Sequence, residues 1–261
     1  LTYACLTVFS VLMTIPWLWT LSTSFKRSRD VFAPGTGLVP DPASTKAYER
    51  IFTDQPFFRY FLNSVIVAVV VVILNVVFDS LAAYAFAQLR FPGREPLFRL
   101  FLVAMTIPTA ALVVPLYLMA AGAGLRNTFW GVVVPFMLAS PGAVLLLRES
   151  FRSVPRELID AARIDGAGHM RILTRIVIPA SRPTLAALTL ITAVNQWNSF
   201  MWPRIIANQR PRVVTVAAAA LQFHHNAGRA HMMAAAALVL IPVVVLLLVA
   251  RRRVDAVAAL T

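Results

Sequence analysis

Asn75 and Asp79 stand four residues apart in one apolar run, and Asn195, Gln196, Trp197 and Asn198 cluster in another. Side chains four apart share a helical face, and an ionisable group inside an apolar run marks a functional position by default. Amide groups beside an aromatic platform suit a neutral, hydroxyl-rich solute such as a sugar. The competing reading of Asp79 is a hydrogen bond inside a helix bundle or to a partner chain. No arginine falls in the middle of an apolar run, where a phosphate path would want one. These polar groups form no nucleophile–base pair and no metal-ligand set, which argues against an intramembrane enzyme. His224 and His225 are given no metal role, and the lone Cys5 makes neither an internal disulfide nor a thiolate cluster.

A second cluster is charged. Over residues 148–182, Ser153 is placed to cap a helix, Pro155 fits its first turn and Glu157 its electropositive N-terminal end. Leu158, Ala161, Ala162 and Asp165 recur on one helical face, with Asp160 beside them. The two alanines would let another protein surface come close to the helix backbone. Gly166 permits a chain reversal, because glycine alone enters the left-handed region freely. A second short helix over 170–178 is expected to end at Pro179. The residues alone leave two readings level: a helix lying on a membrane, or a helix docked to another protein.

The elements that must position these groups are membrane spans. Of the 261 residues, 59% are hydrophobic, against about 45–50% in an ordinary soluble domain. The apolar residues fall in six runs near the length a spanning helix needs, at 3–23, 60–88, 97–120, 129–147, 184–206 and 232–250. Residues 1–21 lack the basic start and small-residue cleavage site of a signal peptide. The fold class expected is therefore all-α, a polytopic membrane protein of six helices forming one domain. Pro108, Pro115, Pro135, Pro141 and Pro242 should kink helices that pack against protein. An outer loop over 24–59 should carry a small interfacial helix around Tyr48, Ile51 and Phe52. Formal net charge is +13, yet the arginines punctuate the apolar runs instead of lining one face, which speaks for interface anchoring and against nucleic acid. Their placement near helix ends favours both termini in the cytoplasm. A secondary transporter should show inverted repeats or paired charged helices, and neither is visible.

Asp160-Ala161-Ala162, then Gly166 four positions on, then Ile176, Ile178 and Pro179, resembles the EAA loop of bacterial ABC importer permeases. The spacing matches in full; Asp160 replaces the usual Glu and Ile178 the usual Leu. Phe61-Leu62-Asn63-Ser64, Leu81 to Ala87 and Arg90-Phe91-Pro92-Gly93-Arg94 are similar to the second helix and following loop of the maltose-type branch. Ile107-Pro108 with Pro115 to Leu118 resembles its third helix, and Trp197 to Pro203 the signature ending its fifth. The tail after Arg253 lacks the Gly-rich ending common in that branch.

The resemblance implies the type I importer permease fold in a bacterial inner membrane, moving a sugar or sugar-like solute, with glycerol phosphate or another small polar solute as the alternative. It implies an ATPase-coupling helix in which Glu157, Asp160, Ala161, Ala162, Asp165 and Gly166 meet the ATPase. The chain has no phosphate-binding G-x-x-x-x-G-K-[ST] motif, so ATP and Mg are expected on a partner ATPase dimer and no cofactor on this chain. A second homologous permease and an extracytoplasmic solute-binding protein complete the expected assembly.

Overall fold

The computed structural model describes residues 2–31, 33, 37–207, 212–221 and 228–258, with side chains as far as residue 249. The chain divides into two compact units, one of Leu1–Ser64 with Arg212–Val249, the other of Val65–Pro211 with Ala250–Thr261.

The first unit opens with α1 (Thr2–Ser24), whose Leu, Val, Phe and Trp side chains are exposed around the whole helix. An apolar helix with no polar face is built for lipid. Past its end Lys26 is buried, donating to the Gly37 carbonyl at 2.7 Å with its ammonium 5.1 Å from the Trp19 ring centre. The small helix expected near Tyr48 is α2 (Lys46–Asp54), which buries Ala47 and Ile51 and sets the Tyr48 hydroxyl 2.7 Å from Ser24 Oγ. The long helix α3 (Phe57–Gln88) starts here. From it Asn63 donates to the Arg212 carbonyl at 3.0 Å, and Ser64 Oγ accepts the Val214 N–H at 2.8 Å.

The second unit breaks three of the expected spans. Residues 97–120 become α4 (Arg94–Ala104) and α5 (Thr109–Gly122), bent by 103°. Pro108 brings no N–H and drives Ile107 out of the helical region, so the chain turns where a mere kink was expected. Pro115, by contrast, stays inside α5. Residues 129–147 become α6 (Phe129–Val133) with a tight turn over Val134–Phe136, then α7 (Pro141–Arg152), bent by 48°. Pro135 and Pro141 each open a new turn, the position proline tolerates.

The stretch after Gly166 also departs from expectation. Following α8 (Arg156–Ile164), α9 (His169–Ile172) widens into a π turn over Leu173–Val177 and continues as α10 (Ile178–Ala180). Pro179 thus does not end the helix, which passes through the π turn just before it and runs on to Ala180. The chain then bends by 85° into α11 (Arg182–Trp197), breaks at residues 198–200 and closes with α12 (Met201–Ile206). The span expected over 184–206 is therefore two helices. The last helices are α13 (Val214–Ala220) and α14 (Arg229–Ala258), both chiefly in the first unit, with Pro242 inside α14. Three unbroken helices, Thr2–Ser24, Phe57–Gln88 and Arg229–Val249, are long and apolar enough to cross a membrane, and the three bent pairs raise the number to as many as six.

Candidate coupling helix and the groove beneath it

Helix α8 holds most of the residues expected to meet an ATPase. Ser153 does not cap it: its hydroxyl donates to the Ser150 carbonyl at 2.8 Å, and Pro155, extended, is the residue before the first turn. At 100° per residue the helix has three faces. Ile159, 2% exposed, drives into a core with Phe151, Leu147 and Val154. Ala162 packs partly against the same core, while Ala161 is exposed. Glu157, Leu158, Ala161, Ile164 and Asp165 point outward and are exposed. Such a row, with Leu158 at 53% and Ile164 at 87% exposed, is a surface prepared for contact. Gly166 ends the helix at φ +77°, the left-handed turn its type predicts.

Arg156, Asp160 and Arg163 occupy the third face, which lines a groove of 710 Å³ with Gln88, Arg90, Arg94 and His169. Asp160 is thus turned aside from the outward row, with its carboxylate 3.3 Å from Arg163 one turn on.

The core under α8 joins it to the spans. It combines Tyr84 and Phe86 of α3, Phe98 of α4, Leu147 and Phe151 of α7, and Ile172 and Val177 beyond Gly166. Arg148, 7% exposed, is fixed inside: its guanidinium lies 3.9 Å from the Phe98 ring centre, 2.9 Å from Glu149 and 3.7 Å from Glu95. Gln88 donates to the Phe151 carbonyl at 2.8 Å, and the Tyr84 hydroxyl lies 3.2 Å from His169 Nδ1. Neither Ile159 nor Arg148 stood out in the sequence. Ile159 neighbours Leu158 and either could have been the inward residue, while Arg148 resembled the other arginines at span ends.

Asn75 and Asp79 are buried and hold backbone. Asn75 donates to the Phe136 carbonyl and, at 3.1 Å, to that of Leu138; Asp79 accepts the Ser140 N–H at 2.6 Å. Both therefore satisfy the non-helical residues between α6 and α7, which a membrane interior leaves no water to satisfy. In the other cluster Trp197 is buried, Asn195 and Asn198 are exposed and Gln196 is half-buried. Close by in sequence, Trp202 donates to the Gly131 carbonyl at 3.0 Å. A Cβ on Gly131 would overlap the Leu125 carbonyl and come within 3.2 Å of Ile206, a requirement for glycine that no sequence spacing announces. His224 and His225 lie outside the described residues.

A family model described as a binding-protein-dependent transport system inner membrane component matches residues 80–257. The diacetylchitobiose uptake system permease protein NgcG of Streptomyces coelicolor is 33% identical over 222 residues, covering 84% of this chain and 73% of that protein. The sn-glycerol-3-phosphate transport system permease protein UgpE of Agrobacterium fabrum is 31% identical over 206 residues, covering 76% and 72%. In fold, the chain is similar to one from the crystal structure of a bacterial ABC transporter involved in the import of the acidic polysaccharide alginate. The TM-score is 0.84 at 24% identity, with 96% of this chain and 94% of that one covered.

Proposed function

This chain belongs to the family of inner membrane components of binding-protein-dependent transport systems, and on that premise we propose that it passes a sugar or sugar-like solute, driven through α8 by a separate ATPase. The chain is a multi-pass permease subunit of an ATP-binding-cassette importer and is not itself the ATPase. The observation that carries the proposal is the division of α8, with Ile159 locked in the core and Glu157, Leu158, Ala161, Ile164 and Asp165 facing out. A partner that takes this row can push on α3 and α7, because close-packed interiors transmit displacement instead of absorbing it. The partner is an ATPase dimer, which holds the ATP and Mg. A second permease stands beside this chain, a solute-binding protein delivers from outside, and both termini are cytoplasmic.

A neutral solute is favoured by the state of Arg148. It is the one arginine buried among the described side chains of the second unit, and Glu95, Glu149 and Phe98 already occupy it. Phosphate recognition would want a free, fork-shaped guanidinium in the path. The exposed amides of Asn195 and Asn198 beside Trp197 are the groups offered to a sugar, and Asn75 and Asp79 act indirectly by fixing the linker before α7. The relatedness to a glycerol phosphate permease makes that solute the competing reading.

The test is ATP hydrolysis by the complete importer in proteoliposomes, with its own binding protein offered oligosaccharides or glycerol 3-phosphate. Oligosaccharide should raise hydrolysis several-fold and be taken up, while glycerol 3-phosphate leaves the basal rate unchanged. Stimulation by glycerol 3-phosphate alone would overturn the sugar assignment.

A further inference from the structure

The groove between the end of α3 and the third face of α8 has no part in the transport scheme above. Its wall carries four arginines, Arg90, Arg94, Arg156 and Arg163, with His169 and one carboxylate, Asp160. Asp160 is engaged with Arg163, and Arg94 with Glu95 at 3.0 Å. Among the described residues no ion pair or hydrogen bond engages the side chain of Arg90 or Arg156, and both are exposed. A second depression of 510 Å³ shares Arg90, Phe91, Arg94 and Arg156 and runs on to Glu95 and Pro96, at the start of α4. The combined hollow is thus strongly electropositive, with two uncommitted guanidinium groups suited to phosphate oxygens.

Position decides what brings the phosphate. The apolar span of α3 ends at Gln88, and the groove begins at Ala87 to Phe91, so it lies where a spanning helix leaves the hydrocarbon. From the hollow α4 leads away with Leu97, Leu100 and Val103 exposed along one side, while Phe98 on the other side is buried in the core. Spacing of three residues makes that stripe one continuous helical face. An acyl chain fits such a stripe, and a headgroup at its start falls among the arginines. Basic pockets between helices at this depth recruit anionic headgroups.

We propose that this hollow binds the phosphate of an anionic phospholipid, held by Arg90 and Arg156, with acyl chains along Leu97, Leu100 and Val103. The assignment rests on the chain spanning a membrane, and because Arg156 belongs to α8, co-purification of the ATPase is scored beside lipid binding.

The full-length chain, purified in neutral detergent, would be titrated with phosphatidylglycerol, phosphatidylcholine or inorganic phosphate, and lipid adducts counted by native mass spectrometry. Wild type should bind phosphatidylglycerol in preference to phosphatidylcholine. The double variant Arg90→Gln, Arg156→Gln should lose about thirtyfold in affinity for phosphatidylglycerol, taking each surface arginine at its usual worth. The equally charge-changing pair Arg171→Gln, Arg175→Gln, exposed and outside the groove, should keep wild-type affinity. Single reversal, Arg156→Glu, should repeat the loss in a second background. Equal loss in the control pair would show a non-specific charge effect and overturn the proposal. Binding of inorganic phosphate with no lipid preference would assign the groove to a free anion. Undiminished lipid binding with lost co-purification of the ATPase would assign it to an acidic protein segment. Either result overturns the lipid site.

Discussion

Ile159→Ala is expected to uncouple the importer while leaving the chain folded in the membrane. Ile159 is 2% exposed and is the residue of α8 most deeply set in the core that reaches α3 and α7. Truncating a buried isoleucine to alanine costs about 2–5 kcal/mol. That cost falls on the seating of a nine-residue helix with no side-chain cap, which an isolated stretch of this length could not sustain. In the purified chain, hydrogen exchange over residues 156–164 should accelerate markedly, and hydrolysis stimulated by the binding protein should fall more than about tenfold. The neighbouring Leu158→Ala gives the contrast. Leu158 is 53% exposed, so its loss should weaken docking and leave exchange in the free chain as in wild type. Unchanged exchange in Ile159→Ala would show that α8 is held by something other than its core contact.

Gly131→Ala should do the most damage to the fold for the smallest change in mass. The added methyl would meet the Leu125 carbonyl, a backbone atom that no rotamer change moves aside, and would press on Ile206 at 3.2 Å. The same corner holds the Trp202 indole on the Gly131 carbonyl at 3.0 Å and the Asn127 N–H on the Ile206 carbonyl at 2.8 Å. Overpacking a closed site costs about 1–3 kcal/mol, and displacing the buried Trp202 hydrogen bond adds about 1–3 kcal/mol more. The variant should melt well below wild type in detergent and accumulate poorly in membranes. Gly122→Ala, at a helical glycine with open space around it, should melt with wild type or slightly above. Equal melting of Gly131→Ala and wild type would mean that α6 does not pack against α12 as described.

Much of this architecture could be read before any coordinates. The helices α1, α3 and the membrane part of α14 were placed within a few residues, because twenty apolar residues in series allow little else. The turn at Gly166 followed from residue type alone. The broken spans did not. Pro108, Pro135 and Pro141 announce a disturbance, but kink or break depends on who satisfies the freed backbone, and between Pro135 and Pro141 those partners are Asn75 and Asp79, some sixty residues away in sequence. Periodicity groups Leu158 with Ala161, Ala162 and Asp165 on one face but does not mark Ile159, and only packing against Phe151 shows that Ile159 is the inward residue. The motif places Asp160 among the coupling residues; its ion pair with Arg163 and its place on the groove wall are properties of the helix's seating, which spacing does not show.

The central claim is that the outward row of α8 is where the ATPase docks. Its most direct test is photocrosslinking from residue 161 in the assembled importer, with a photoreactive amino acid in place of Ala161. The groove-facing position Arg163 would serve as comparison. Irradiation should join the residue at 161 to the ATPase subunit in high yield, and the yield should change when ATP is bound. An importer that hydrolyses ATP normally yet gives no ATPase adduct from position 161 would contradict the account.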